Sequence, residues 1–396
     1  MTTEQTQQDI VIVAAKRTPM GGFQGALSSV PSPTLASVAI KGLMDTTGVA
    51  GSDVDEVLMG CVLPAGLGQA PARQATLGAE LPLSVGATTV NKVCGSGMKT
   101  VMMAHDLIKA GSANIVIAGG MESMSQAPYL LDKARGGMRM GHGKVLDHMF
   151  LDGLEDAYTG GAMGTFAQKT ADDFGLTREA MDNFALSSLQ KACAAIETGA
   201  FNEEIVPVTV ASRKGDLVVD TDEQPGNARP DKIPSLRPAF AKDGTITAAN
   251  SSSISDGAAA MMLMTRQQAQ DKGLTVLATI KGHTTHAQQP SMFTTAPVGA
   301  MGKLLDKVNW TKEDVDLFEI NEAFAMVTML AISELGLDEN KVNVNGGACA
   351  LGHPIGCSGT RVLVTLIHAL KARGLKRGVA SLCIGGGEAT AMAIEL

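Results

Sequence analysis

Two thiols and one imidazole stand where a chain can use them. Cys94 lies in Val90-Asn91-Lys92-Val93-Cys94-Gly95-Ser96-Gly97, between a β-branched run and a helix-like stretch. A helix N-terminus offers unpaired N–H groups and partial positive charge, and both favour a thiolate. The flanking glycines allow a sharp turn and a close approach by substrate. Those are the needs of a nucleophile, although a free cysteine most often packs as a small hydrophobe. His353 lies in Gly352-His353-Pro354-Ile355-Gly356, on a tight loop, where it could polarise a thiol, donate to an oxyanion or satisfy a loop carbonyl. Cys383 ends the apolar run Val379–Ile384, and Gly385, Gly386 and Gly387 follow with bare N–H groups suited to an oxyanion. Asn321, in Asn321-Glu322-Ala323-Phe324, could hold a water or a carbonyl oxygen, or cap the next helix.

These residues need strands and helices to position them. Ile10–Ala15, Val54–Val62, Ala87–Val93 and Asn114–Ala118 are apolar or β-branched runs of strand length. Ser96–Ala110 carries Met98, Val101, Met102, His105 and Ile108 on one stripe, and Gly111 stops it. Strand, helix and strand in quick succession make a βαβ unit with parallel pairing. Three landmarks recur. Asp53-Val54-Asp55 returns as Asp314-Val315-Asp316, Ser96-Gly97 as Ser358-Gly359, and the Gly119-Gly120 run ending at Glu122 as the glycine run ending at Glu388. The separations are 261, 262 and 266 residues. Two homologous α/β halves packed face to face are expected, and the third landmark aligns Cys383 with Ile117. The segment 125–247, with scattered charge and Pro-punctuated turns, is too long for a loop and reads as an inserted domain. The expected division is therefore 1–124 with 248–273, then 125–247, then 274–396.

Composition removes several classes of function. The 396 residues carry a net charge of −8, with 45% apolar and 18% charged residues, enough apolar content for a large core. An acidic chain has no bulk attraction for nucleic acid or an anionic membrane. No apolar run reaches the ~18 residues of a membrane span. The start, residues 1–9, reads as a polar tail, and a cytoplasmic setting is expected. The six cysteines form no C-x-x-C pair, so neither a disulfide framework nor a metal site is expected. A phosphate loop, a G-x-S-x-G elbow and a dinucleotide fingerprint are all missing.

Seven segments in one order resemble the thiolase family over essentially the whole chain, its acetyl-CoA C-acetyltransferase branch in particular. They are Ala14–Pro19, Asn91–Gly97, Ala118–Met124, Ser255–Ala259, Asn321–Phe324, Gly352–Gly356 and Cys383–Gly387. The resemblance implies a duplicated βαβαβαββ core, layered αβαβα, with an inserted loop domain. It implies that two acetyl-CoA give acetoacetyl-CoA and CoA, reversibly, with no cofactor beyond the CoA thioester and no metal. Cys94 would carry the acetyl group, and His353 would take its proton and later stabilise the enolate oxygen. Cys383 would be the acid/base, Asn321 would hold a water, and the N–H groups of Cys94 and Gly385 would form the second oxyanion hole. Ser252, Phe240, Phe324 and Met163 would line the pantetheine tunnel and acyl pocket, and Arg229, Lys232 and Arg237 would face CoA phosphates. The segment near Met124–Phe150 resembles the family's tetramerisation loop, so a homotetramer built as a dimer of dimers is expected. The chain departs from the family pattern at Ala162, where His is common, at Phe293, where Met is common, and at Cys349 and Cys357 beside the His loop. The competing readings are a broad-range 3-ketoacyl-CoA thiolase, a ketoacyl synthase, a non-catalytic CoA-binding relative and a Cys-His hydrolase.

Overall fold

The computed structural model describes residues 8–213 and 215–396. Residues 1–7 of the polar tail lie outside the described residues. The first half runs β1 (Ile10–Arg17), α1 (Ser32–Thr47), β2 (Glu56–Gly60), α2 (Pro71–Gly78), β3 (Gly86–Val90), α3 (Ser96–Lys109) and β4 (Val116–Ser123). After the insertion, which contains α4 (Met163–Asp173) and α5 (Arg178–Glu197), the chain returns as β5 (Ser255–Thr265). The second half follows with β6 (Ala278–Ala287), α6 (Ala296–Val308), β7 (Leu317–Ile320), α7 (Ala325–Leu335), α8 (Ser358–Arg373), β8 (Arg377–Ile384) and β9 (Glu388–Glu395).

Strand order repeats from half to half. The first half reads β3-β2-β4-β5-β1 and the second β7-β8-β9-β6. Val342 bridges Phe318 of β7 in parallel and stands where β3 stands in the first half. The halves join where β1 meets β6 antiparallel, Val11 opposite Thr279. A bulge interrupts the β1–β5 ladder between Ile12 and Ala14, and another interrupts β6–β9 between Ile280 and Gly282. The two Asp-x-Asp landmarks do the same work. Asp55 accepts the N–H groups of Asn114 and Ile115 at the start of β4, and Asp316 accepts those of Lys376 and Arg377 at the start of β8.

This register corrects one sequence alignment. Glu56 opposes Val116 as Leu317 opposes Gly378, so β4 maps on β8 with Met121, not Ile117, at the place of Cys383. Glycine grammar misled the alignment. Gly119 and Gly120 lie buried inside β4, whereas Gly385, Gly386 and Gly387 form the turn after β8.

Alternating side chains on the strands feed different cores. Ile10 and Ile12 of β1 join a central core, while Val11 and Val13 pack with α1 on the other face. Met392 and Ile394 of β9 join the same central core, and Ala389, Ala391 and Ala393 pack with α6. The central core holds α3 and α8, one helix from each half, so the layers run αβαβα. Helix α8 is buried on every side from Ser358 to Leu370, as a helix between two sheets must be. The two central helices meet at their first turns. A Cβ on Gly97 would lie 2.8 Å from the Thr360 nitrogen, and one on Gly359 would lie 2.3 Å from the Met98 nitrogen. Only glycine permits that approach.

A buried arginine fastens the insertion to the core. Arg17, at the end of β1, binds Asp222 through two N–H···O contacts of 2.6 and 2.8 Å and Glu204 at 2.6 Å. Its guanidinium also lies over the Phe201 ring, 4.9 Å from the centroid. Arg17→Ala would leave two carboxylates buried without a counter-charge. It should lower the unfolding free energy by about 3–5 kcal/mol, measured by urea denaturation.

A second buried pair makes stability depend on pH. Glu319 of β7 lies 3.7 Å from Arg361 of α8, and both are buried. Burial pushes the Glu319 carboxyl up to about 8, against the attraction of Arg361. The folded chain therefore holds a proton that the unfolded chain releases near the ordinary value of 4.5, and stability falls as pH rises toward 8. Between pH 6.5 and 8 Glu122, pushed up to about 7, adds to this fall, while His353, held below its ordinary 6.5, opposes it only near the lower limit, where the unfolded imidazole is still half charged. Glu319→Gln mimics the protonated form and should flatten that fall, followed by denaturation at the two pH values. An unchanged slope would assign the titration to another group.

Candidate active site

Cys94 sits on a strained turn between β3 and α3. The residue before it, Val93, has φ +46, which a β-branched side chain adopts only when its surroundings compel it. They do so here. Ser96 Oγ accepts the Lys92 N–H at 2.8 Å and donates to the Val93 carbonyl at 2.7 Å. Asn91 Oδ1 accepts the Val93 N–H at 2.9 Å, and the Lys92 ammonium pairs with Glu388 at the start of β9.

His353 is held from three sides. Its backbone N–H donates to the Ser253 carbonyl at 3.1 Å and to Ser255 Oγ at 3.2 Å. Its Nδ1 lies 2.5 Å from Ser358 Oγ. Ser358 has one hydroxyl proton, and it donates that proton to the Pro354 carbonyl at 3.0 Å. Ser358 must therefore accept from Nδ1–H. Nε2 is left with a free lone pair, and it has no protein partner. Burial, and then Arg361, push this imidazole down to about 3, so it is a neutral base across the physiological range. Ser96 and Ser358 are landmark residues of the duplication, and each opens a central helix while bracing the loop before it.

Glu122 ties these loops together. Its carboxylate accepts the N–H groups of Val62, Leu63 and Gly356 at 2.9, 3.1 and 3.0 Å. Burial pushes it up to about 7.

Cys94, His353, Cys383 and Gly385 all line one apolar cavity of about 230 Å³. Met163, Phe240, Phe324 and Ser252 line it as well. Phe240 and Phe324 meet edge to face at 6.2 Å, and Gly164 carries no Cβ where the Phe240 ring lies. Phe293 and Ala162, two of the four departures from the family pattern, also line the cavity, and Phe293 packs edge to face on Phe324 at 6.5 Å. Burial pushes the Cys94 thiol up to about 11. The N–H groups of Gly385 and of Cys94 itself oppose that push at the sulfur. Cys383 is pushed well above the ordinary thiol range by burial and then by Cys94. With a high thiol and a low imidazole, the resting pair is uncharged, and proton transfer must accompany attack on a substrate.

Asn321 does not line this cavity. Both polar atoms of its fully buried amide lack a protein partner, and it does not cap α7, whose N-terminal boundary residue is Phe324. A buried amide of that kind calls for a polar guest. Arg229 and Lys232 line a separate cavity of about 390 Å³, with Ser253 and Cys349 on its wall. Ser252 on one cavity and Ser253 on the other make the two neighbours along the chain. Arg237 lines neither. Cys357 is buried in the central core.

Sequence reasoning missed Phe150, Gly153, Leu154 and Ile355 on the cavity wall, and the bracing by Ser255, Ser358 and Glu122. Ser358 and Glu122 carried a signal, since both stand in the repeated landmarks. The wall residues carried none, because contributions from irregular segments have no periodicity.

Ser358→Ala should release the Nδ1–H tautomer of His353. Acylation of Cys94 should then slow by about 10²-fold, the low end of what a positioned base contributes. Intact-mass time courses of the acyl adduct will measure it, and circular dichroism should be unchanged.

The thiolase N-terminal domain family model matches residues 10–267, and the thiolase C-terminal domain model matches residues 274–396. An acetyl-CoA acetyltransferase from Pseudomonas aeruginosa is 50% identical over 389 residues, spanning 98% of this chain and 99% of that protein. One from Escherichia coli is 50% identical over 390 residues, again spanning 98% and 99%. The crystal structure of the Bacillus anthracis acetyl-CoA acetyltransferase superposes with a TM-score of 0.96 at 42% identity, covering 98% of this chain and 99% of that one. Matched from Ile10 to Leu396 by the models of both its domains, the chain belongs to the thiolase family.

Proposed function

We propose that the protein is an acetyl-CoA acetyltransferase that reversibly condenses two acetyl-CoA into acetoacetyl-CoA and CoA. The observation that carries this reading is the meeting of two thiols, a base-form imidazole and two N–H donors in one small apolar cavity. A binding protein needs none of them, and a Cys-His hydrolase does not need the second thiol.

In the first half-reaction the Cys94 sulfur attacks the thioester carbonyl as His353 Nε2 takes its proton. The N–H groups of Cys94 and Gly385 hold the oxyanion. The C–S bond to CoA breaks, His353 returns the proton to the leaving thiolate, and acetyl-Cys94 remains. In the second, Cys383 passes its proton to His353 Nε2, and the resulting thiolate removes the α-proton of another acetyl-CoA. Its enolate oxygen is held by the Nε2–H of the protonated His353 and by a water on Asn321. The new C–C bond forms, Cys94 leaves as thiolate, and His353 returns its proton to it, so Cys383 ends as a thiol. Cys94 is one of the influences that hold the Cys383 thiol up. Acetyl-Cys94 cannot become a thiolate, so Cys383 is the one thiol of the pair that can ionise in the acyl-enzyme. The thioester itself acidifies the α-carbon, so this reading calls for no cofactor beyond CoA.

Ser252 then faces the pantetheine arm between Phe240 and Phe324, and Arg229 and Lys232 meet the CoA phosphates. The homotetramer is part of the same proposal. Tyr129, Leu131, Met138, Met140 and Val145 expose apolar surface on the segment assigned to tetramerisation. No helix among the described residues is long and apolar enough to cross a membrane, and all six cysteines are free, which suits a reducing cytoplasm.

CoA-dependent thiolysis of acetoacetyl-CoA, beside a longer 3-ketoacyl-CoA, tests the assignment. Rapid cleavage of the four-carbon substrate alone is expected. Comparable cleavage of the longer chain would replace this reading with a broad-range degradative thiolase. Cys94→Ala should lose at least about 10³-fold in rate and form no acyl adduct. Cys383→Ala should still acylate from acetyl-CoA but fail to condense.

A further inference from the structure

Helix α3 begins just after Cys94, and its last two turns carry a cluster that the proposed reaction does not use. His105 Nδ1 lies 2.9 Å from Asp106 Oδ1. His283 Nε2, from β6 in the other half, lies 3.0 Å from the same oxygen and 3.3 Å from His105 Nδ1. The two rings stand at 85° to each other, 5.0 Å apart between centroids. No arrangement of protons satisfies all three contacts. If both nitrogens donate to Asp106, two N–H groups face each other. If only one is protonated, the other turns a lone pair toward the carboxylate. A cation bound to all three atoms removes the conflict.

The geometry points to a divalent transition-metal site of the zinc class at His105, Asp106 and His283. Bonds of about 2.0–2.1 Å to a tetrahedral ion place ligand atoms about 3.3 Å apart, close to the triangle observed. Both imidazoles are largely buried, at 12% side-chain exposure, and Asp106 stands at the mouth with 60%. Burial holds both histidines below their ordinary value, hence neutral and ready to ligate. Two cations face the cluster. Lys109 and Lys307 both disfavour added positive charge, although the Lys307 ammonium turns to the His283 carbonyl at 2.9 Å. That repulsion falls on any divalent ion alike, and it is the two imidazole ligands that favour a zinc-class ion over magnesium or calcium. A neighbouring cavity of about 320 Å³ reaches His283 and leaves room for a fourth ligand.

The site would staple the helix behind Cys94 to the opposite half. The register puts His368 of α8 where Asp106 stands in α3. There the same helix-to-strand contact is one hydrogen bond, from His368 Nε2 to the Ala15 carbonyl at 3.1 Å. The chain spacing of 177 residues between Asp106 and His283 hid the cluster from sequence reading.

The test uses chelator-stripped full-length protein titrated with Co²⁺ and Zn²⁺. One equivalent should bind, with a visible Co²⁺ spectrum free of the thiolate charge-transfer band, and should still bind after alkylation of Cys94 and Cys383. Zn²⁺ should raise the melting temperature and saturate at one equivalent. Asp106→Asn should bind at least tenfold more weakly and His283→Gln should lose the site, while metal-free thiolysis stays unchanged in Asp106→Asn. Failure of the wild-type protein to bind one equivalent overturns the proposal. So does undiminished binding by His283→Gln, or a signal that disappears with thiol alkylation.

Discussion

Two helix N-termini are pressed together at the centre of this molecule, and the site depends on that contact. Gly97 and Gly359 let α3 and α8 touch backbone to backbone at their first turns. The loop before one helix carries Cys94 and the loop before the other carries His353. A side chain at either glycine would separate the helices, and with them Cys94 from His353. The five layers hold the contact in place, because α8 is buried between the sheets and the inner face of α3 is buried against it, so neither can move without opening the core.

Around that contact, burial sets the charge states and hydrogen bonds set the orientations. The thiols are pushed up and the imidazole down by the same exclusion of water. Electrostatic attraction between a thiolate and an imidazolium therefore does not poise the resting site. Poise comes from geometry: Ser358 fixes which nitrogen of His353 is free, Ser96 fixes the turn before Cys94, and Glu122 holds the loops above both. The insertion closes the cavity with Met163 and Phe240, and Arg17 anchors it across the top of β1.

Much of this was legible in the residues. Cys94, His353 and Cys383 stood out because each combined a reactive side chain with a glycine turn at the end of a strand or the start of a helix. The duplication was legible from Asp-x-Asp, whose second carboxylate does the same work in both halves, and from Ser-Gly, whose serine braces the preceding loop in each half through different partners. The glycine runs misled, because Gly119-Gly120 inside a buried strand and the glycines of a turn look alike in a sequence. What stayed hidden is what three-dimensional proximity alone creates: the unpartnered amide of Asn321, the separate cavity around Arg229 and Lys232, and contacts between residues far apart in the chain.

The matched ladders and bulges have a further meaning for how such a site can arise. Two identical subunits meeting on a two-fold axis must place the same residue on both sides, so a thiol in one place implies a thiol in its mate. Here the mates are joined in one chain and need not agree. Gly356 stands opposite Cys94, Asn91 opposite His353, and Met121 opposite Cys383. Joined in one chain, the two halves frame a single asymmetric cavity, with Cys94 from one half and His353 and Cys383 from the other.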